Sequence, residues 1–303
     1  MLLHENKEFF KEILERTADS FTFPEDIVEK DYYAFLILRQ IKQLCPLAVF
    51  KGGTSLSKAF NVINRFSEDI DLTFSRFIKK EKRSKTIKHN TIMEASKILS
   101  FPILNINNTQ GDRDVCHYDF MTPAIADYSV SGMASKVTIE TSYLSPCENP
   151  EQKTISSFIY QFLNKNYPKL LEQYDLEPFI MNIQPMEITF IDKVYALCDY
   201  YLEEKIEKHS RHLYDLYKMA ALISFDENFK MLVQSVRKHR ETLDKAYSVK
   251  QKKSISSLVD EIIAKETYKQ DYLNKTKQLI KEKDISYNDV IIKFKEIVDT
   301  NYF

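Results

Sequence analysis

Apolar positions recur along the chain with two different spacings, and the change from one to the other divides it. From His4 to Thr17, Phe9, Phe10, Ile13 and Leu14 fall on one side of a helix. Pro24 suits a helix N-terminus, and Glu25 and Asp26 in the first turn complement the dipole. Ile27, Tyr32, Phe35, Leu36, Leu38 and Ile41 then keep a helical period to Leu44, and Pro46 ends it. Leu47 to Phe50 predicts a short buried strand, Lys51 to Thr54 a turn, and Ser55 to Ile63 a helix. Asp69 to Phe74 alternates polar and apolar residues and predicts a strand. A helix from Lys85 to Leu99 follows, then strands at Val115–Met121 and Lys136–Tyr143. Beyond Pro150 every stripe is helical: Ile155–Tyr167, Thr189–Ile206, His209–Ile223, Phe229–Val236 and Ile255–Ile263. The pattern predicts an α+β fold. Residues 1–150 would form a mixed sheet with flanking helices, and residues 151–303 a helical half. Two lobes with a cleft between them are the expected arrangement.

Composition narrows the function classes. The chain has 303 residues, 44% apolar and 29% charged, a globular balance that excludes a disordered chain. Its 43 Lys and Arg against 44 Asp and Glu give a formal charge of −1. That excludes a globally basic nucleic-acid clamp and leaves room for a local basic face. No apolar run approaches the roughly 18 residues that span a bilayer, so no membrane association is expected. Met1 to Lys7 is broken by charge and lacks the apolar stretch of a secretory signal. Cys45, Cys116, Cys147 and Cys198 are scattered without a C-x-x-C pair, so free thiols in a cytoplasmic protein are expected.

Glycine is the informative count. The chain has only 4, and two are adjacent, Gly52 and Gly53. A turn of this kind between a strand and a helix exposes backbone N–H groups suited to phosphate. Asp69 and Asp71 stand two apart on the next strand, so both point to one face. Two carboxylates near a phosphate cradle suit Mg²⁺, which takes oxygen ligands from one or two acids and from substrate phosphates. Asp-x-Asp alone is often a solvated strand face, and Gly-Gly alone is a turn. The combination, in this order and spacing, is the more specific signal.

The stretch Lys51-Gly52-Gly53-Thr54-Ser55-Leu56-Ser57-Lys58, with Arg65-Phe66-Ser67-Glu68-Asp69-Ile70-Asp71-Leu72, resembles the nucleotidyltransferase toxins of the AbiEii/MenT group. These are the toxin half of type IV-like toxin–antitoxin and phage-defence pairs, within the DNA-polymerase-β-like nucleotidyltransferase superfamily. Ile27-Val28-Glu29-Lys30-Asp31-Tyr32 is similar to the family's opening helix. Downstream, Thr189-Phe190-Ile191-Asp192-Lys193 looks like its Thr-Phe-x-x-Lys segment, and Arg211-His212-Leu213-Tyr214-Asp215-Leu216 its Arg-x-x-x-Asp-Leu segment. The matching segments span residues 24–220, and the tail from Phe225 carries no matching motif.

The resemblance implies Asp69 and Asp71 as metal-holding acids, Lys193 as a lysine reaching the nucleotide phosphates, Asp215 as a distal acid and Ser67 as an active-site serine. Lys51, Gly52, Gly53, Thr54, Ser55 and Lys58 would line the nucleotide. Glu140, in the β-branched run Val137 to Thr141, is the candidate third acid, with Asp119 as a weaker one. Read without the resemblance, Lys193 is an ordinary solvated lysine and Ser67 a turn residue. Asp215 would then pair with Arg211 one turn earlier, for about 0.2–0.5 kcal/mol. His209 and His212 sit three apart on a helix with no third metal ligand in sight. Two basic groups could position RNA by its phosphates. One runs through Arg76, Lys79, Lys80, Lys82, Arg83, Lys85 and Lys88. The other comprises Arg237, Lys238, His239 and Arg240, with Lys250, Lys252 and Lys253.

The expected function is Mg²⁺-dependent transfer of NMP from an NTP to an RNA acceptor, a tRNA end above all, with blocked translation as the outcome. The alternatives are transfer to a protein or small-molecule hydroxyl, and a non-catalytic nucleotide- or partner-binding role. The resemblance also implies a cognate antitoxin.

Overall fold

The computed structural model describes residues 1–67, 69–74, 81–108, 115–129, 133–142, 147 and 149–303, without the side chains of 81–86, 108, 115 and 142. The chain forms two compact units. One comprises Met1–Ala59, Glu68–Thr141 and Pro150–Ile183, the other Phe60–Ser67, Ser142–Asn149 and Gln184–Phe303.

The first unit is built on a six-stranded sheet. In chain order its strands are β1 (Val49–Lys51), β2 (Ile70–Thr73), β3 (Val115–Met121), β4 (Lys136–Ser142), β5 (Glu151–Ile155) and β6 (Phe179–Ile183). Their spatial order is β3-β4-β2-β1-β6-β5. β1 runs antiparallel to β2 and parallel to β6, β2 runs parallel to β4, and β5 closes antiparallel on β6. β5 and β6 lie in the stretch whose pattern reads as wholly helical. β5 is an edge strand of Glu151, Gln152, Lys153 and Thr154 with only Ile155 buried, so it carries no apolar alternation to read. β6 is five residues long, too short for periodicity to separate strand from helix.

Helices α1 (Lys7–Phe21), α2 (Glu25–Leu44), α3 (Gly52–Lys58), α4 (Glu81–Leu99), α5 (Phe158–Asn166) and α6 (Lys169–Gln173) complete this unit. α3 begins at Gly52 itself, so the expected turn is the first turn of the helix. α2 is its spine. Val28, Tyr32, Tyr33, Phe35, Leu36, Ile37, Leu38 and Ile41 are buried, which leaves it apolar on nearly every side. Its charges at the N-terminal end are buried too, and each anchors a loop. The Glu29 carboxylate accepts from the Ile125 and Ala126 N–H groups at 2.8 and 3.1 Å. The Lys30 ammonium donates to the Ala134 carbonyl, and Asp31 accepts from the Phe158 N–H.

The second unit is helical: α7 (Met186–Leu202), α8 (Arg211–Ala220), α9 (Glu227–Arg240), α10 (Tyr247–Lys250), α11 (Ile255–Ala264), α12 (Lys269–Asp271), α13 (Lys277–Leu279) and α14 (Tyr287–Val298), with a π turn at Tyr272–Thr276. α7 lies at its centre, with Phe190, Ile191, Val194, Tyr195, Leu197 and Cys198 fully buried. Arg240 reaches from α9 to Asp192 at 3.2 Å and to Asp199 at 2.5 Å, and its guanidinium lies over the Tyr195 ring. The four cysteines are buried thiols outside any disulfide. No described helix is long and apolar enough to cross a membrane.

Arg240→Ala leaves Asp199 buried without its cation. It is expected to cost about 3–5 kcal/mol of unfolding free energy, since breaking a buried pair strands the remaining charge. Urea unfolding measures this. A loss within experimental error would show that water replaces the guanidinium.

Candidate active site

The strand register assembles a candidate cluster in the first unit. Lys51 on β1 pairs with Asp71 on β2, and Asp71 pairs with Glu140 on β4. The three residues therefore form one row across adjacent strands, where directly opposed side chains share a face. Asp69 lies two residues before Asp71, just outside β2, which begins at Ile70 rather than at the expected Asp69. The Thr54 hydroxyl donates to the Asp69 carbonyl, which ties α3 to the approach to β2.

Gly52 is required at this place for two independent reasons. Its φ of +74° lies in the left-handed region, where a side chain is strained. A Cβ there would also stand 1.9 Å from Asp71 Oδ2 and 2.5 Å from its Cγ. The Asp71 carboxylate thus occupies the space that the missing side chain leaves, packed on the first residue of α3.

The neighbouring candidates are placed differently from a set of nucleotide-facing side chains. Thr54 and Ser55 are buried. Ser55 Oγ donates to the Gly52 carbonyl at 2.8 Å and Ser57 Oγ to the Thr54 carbonyl at 3.0 Å. The Lys58 ammonium pairs with Asp31 and faces the Ser156 carbonyl. These groups hold α3 onto its own unit. Lys51 is buried and Gly52 half-buried.

Among the acids, Glu140 is half-buried, with Oε2 4.0 Å from His117 Nδ1. Asp119 is engaged elsewhere, accepting from Lys136 Nζ at 2.6 Å and Thr138 Oγ1 at 2.8 Å. Burial would raise its pKa, but those two bonds outweigh burial and lower it. Among the described residues no three His, Cys, Asp or Glu side chains converge into a metal cage. The fit to a metal rests on the Asp71 carboxylate in the Gly52 cradle, with Asp69 two residues before it. This all-oxygen pair suits Mg²⁺ completed by substrate phosphates.

The second unit carries Lys193, Asp215 and Ser67, together with a residue whose role the sequence did not disclose. Arg65 donates from Nε to Asp215 Oδ1 at 2.7 Å and from Nη2 to Oδ2 at 2.6 Å. Lys193 Nζ lies 2.7 Å from the same Oδ2 and 3.1 Å from His212 Nδ1. Asp215 is 0% exposed. Burial alone would raise its pKa, but Arg65 and Lys193 hold it well below the usual carboxylate range. Burial lowers the Lys193 pKa, against the attraction of Asp215. Burial, with Lys193 beside it, also keeps His212 neutral, so Nδ1 accepts from the ammonium. Lys193 is thus not a solvated surface lysine, and Asp215 pairs with Arg65 rather than Arg211. The signal for Arg65 was its place at the head of the Arg65–Leu72 stretch, although no chemistry attached to it there. Ser67 is half-buried, two residues beyond Arg65.

A model of the family described as nucleotidyl transferase AbiEii toxin, type IV TA system, matches residues 36–299. The chain belongs to the AbiEii family. As a member it is a nucleotidyltransferase toxin of a toxin–antitoxin family. Among solved structures it is similar to MenT4, a nucleotidyltransferase toxin from Mycobacterium tuberculosis. That likeness has a TM-score of 0.51 at 14% identity over 93% of this chain and 86% of the other, and it supports the fold. A second solved structure, JHP933 from Helicobacter pylori, matches at TM-score 0.41 and 16% identity, over 88% of this chain and 89% of that one. No curated protein matches the chain.

Glu68, Arg76, Lys79 and Lys80 lie outside the described residues, as do the side chains of Lys82, Arg83 and Lys85. Lys88 is buried, with Nζ 3.3 Å from Cys116 Sγ, and does not contribute to an exposed basic face. Arg240 is likewise internal, while Arg237, Lys238, Lys250, Lys252 and Lys253 are exposed.

His209 and His212 serve packing, not a metal. Tyr200 stacks on His209 with ring centroids 3.5 Å apart, and His209 Nδ1 is buried without a partner. Burial, then Arg211, pushes His209 down to about 4. Both histidines thus have folded pKa values below the roughly 6.5 of the unfolded chain. The unfolded state takes up more protons as pH falls below that value, so stability falls with it. The contribution of the two histidines lowers the thermal midpoint between about pH 6.5 and 5, and His209→Gln is expected to make that slope shallower. An unchanged slope in differential scanning fluorimetry would show that His209 already titrates freely in the folded protein.

Proposed function

We propose that this AbiEii-family enzyme transfers NMP from an NTP to an RNA acceptor, with a tRNA end as the favoured target and blocked translation as the consequence. One observation carries the reading: the Asp71 carboxylate fills the space left by Gly52 and stands in register with Glu140, two residues after Asp69. When bound, Mg²⁺ would neutralise triphosphate charge and strengthen the attack on phosphorus. Asp69 and Asp71 would hold it, and Glu140 would add negative charge beside Asp71. The backbone at Gly52 and Gly53, with Lys51, receives the triphosphate; in the second unit Lys193, held by Asp215, supplies positive charge for the transfer reaction. The acceptor oxygen forms a bond to the α-phosphorus as the bond to the bridging oxygen breaks, and pyrophosphate leaves. The protein's contribution is positioning and electrostatics, as in phosphoryl transfer generally. The exposed Arg237, Lys238, Lys250, Lys252 and Lys253 would position RNA by its phosphates. The family's toxin–antitoxin setting supports an antitoxin as partner.

The test is transfer itself. Purified protein, Mg²⁺ and total RNA are incubated with each α-labelled NTP, and products are resolved on a denaturing gel. Label in a tRNA-sized band, lost with Asp69→Ala and Asp71→Asn, supports the reading and identifies the base. Label in a protein band moves the acceptor to a protein hydroxyl, and full transfer by Asp69→Ala overturns the metal assignment.

Gly52→Ala probes the cradle. Its Cβ displaces the Asp71 carboxylate, so transfer is expected to fall on the order of a hundredfold or more, as for a misplaced catalytic group. Near-native circular dichroism would accompany that loss. Activity within twofold of wild type would show that Asp71 need not occupy this position.

A further inference from the structure

The segment with no recognisable motif, after Phe225, returns to the Arg65–Asp215 pair. Asp271 accepts from the Lys208 and Ser210 N–H groups at 2.8 and 3.0 Å, beside the start of α8. Ser210 Oγ meets Thr276 Oγ1 at 2.7 Å. Ile280 then forms an antiparallel bridge with Arg65, and the Lys281 N–H donates to the Asn64 carbonyl at 3.0 Å. Glu282 completes the strap. Its Oε1 accepts from Asn64 Nδ2 at 3.1 Å and Lys218 Nζ at 2.7 Å, and its Oε2 from the Tyr214 hydroxyl at 2.5 Å. That hydroxyl in turn accepts from the Asn64 N–H at 3.1 Å.

The chemistry of the contacts has a direction. Tyr214 and Asp215 are consecutive on α8, and Asn64 and Arg65 are consecutive on the segment that faces them. Tyr214 holds Asn64, and Asp215 holds Arg65. Among the described residues, Glu282 is the one carboxylate that binds Asn64 from one side and α8, through Tyr214 and Lys218, from the other. Charge-assisted bonds to a carboxylate are roughly twice as strong as neutral ones. Without Glu282, Asn64 keeps only backbone contacts to the strap and the Tyr214 hydroxyl. Arg65 keeps its own bonds to Asp215, but the backbone next to it loses the side-chain anchor to α8.

We infer that Glu282 is a positioning residue: it clamps Asn64 to α8 and so holds Arg65 on Asp215, in the geometry that places the Lys193 ammonium. The inference rests on the proposed role of Lys193 and Asp215 in nucleotidyl transfer. It gives residues 271–282 a part in the site rather than in bulk stability alone.

The experiment compares wild type, Glu282→Ala, Glu282→Gln, Asn64→Ala and the Asn64→Ala/Glu282→Ala double variant in the labelled-NTP transfer assay. Amide hydrogen exchange is measured at Asn64 and Lys281. Glu282→Ala is expected to lower kcat about ten- to a hundredfold, with KM for the NTP within about twofold. Glu282→Gln keeps an acceptor oxygen for Tyr214 and should recover much of that loss. The double variant should lose little more than the worse single variant, because both changes cut one link. Faster exchange at both amides should accompany the loss. A lowered thermal midpoint with unchanged kcat, or additive losses in the double variant, would overturn the inference. If wild type transfers no nucleotide, the functional reading fails separately. The exchange data then decide whether Glu282 clamps the segment, and unaltered protection sinks the clamp as well.

Discussion

The second unit depends on a carboxylate with no access to water. Asp215 accepts two bonds from Arg65 and faces Lys193 on the same oxygen. Burying an ion costs several kcal/mol unless its partners are close and well aligned. The two-pronged Arg65 contact meets that demand. The constraint then spreads outwards. Arg65 must stay on α8, so the segment 60–67 belongs to the helical unit although it lies between β1 and β2 in sequence. Lys193 must stay on α7 at the same height, and α7 is fixed in turn by Arg240 on Asp192 and Asp199.

In the first unit the corresponding constraint is steric. Gly52 supplies a positive φ and an empty Cβ position together, and the Asp71 side chain takes up the space. α3 is held by inward-facing hydroxyls of Thr54, Ser55 and Ser57 and by the Lys58–Asp31 pair. The side chains that resemble a nucleotide-binding motif therefore act first on the backbone. They make the close approach of a helix start to a strand carboxylate reproducible.

Much of this was legible in the residues. Gly52-Gly53 followed by Asp69-x-Asp71 marked the candidate site, because a paired glycine in a glycine-poor chain and two acids two residues apart each call for a physical reason. Strong periodicity placed α2, α4, α7 and β3 within a few residues. What stayed hidden has identifiable causes. β5 is polar along an edge and β6 is short, so neither stands out against helical neighbours. The buried state of Lys193 was invisible, since an ammonium two residues from Ile191 looks solvated until Asp215 is placed beside it. Arg65 pairs across 150 residues, and Glu282 reaches Asn64 across 218. No local pattern encodes such a contact.

The charges around Lys193 bear on what the site would accept. Asp215 attracts the ammonium, while Arg65 and Arg211 oppose it. Asp215 thus binds two cations, Arg65 and Lys193, and Arg211 adds to the repulsion on the ammonium. Such a group is stable enough to fold because Asp215 is fully ionised and doubly bonded, and because His212 stays neutral and adds no fourth charge. Burial depresses the basicity of Lys193 but leaves a local excess of positive charge. An arriving phosphate would relieve repulsion as well as gain attraction, and in a poorly hydrated setting both effects exceed their values in water. A neutral substituent arriving in its place would gain neither. The same imbalance that makes the cluster costly in the free protein is the physical ground for the role toward phosphate proposed for Lys193.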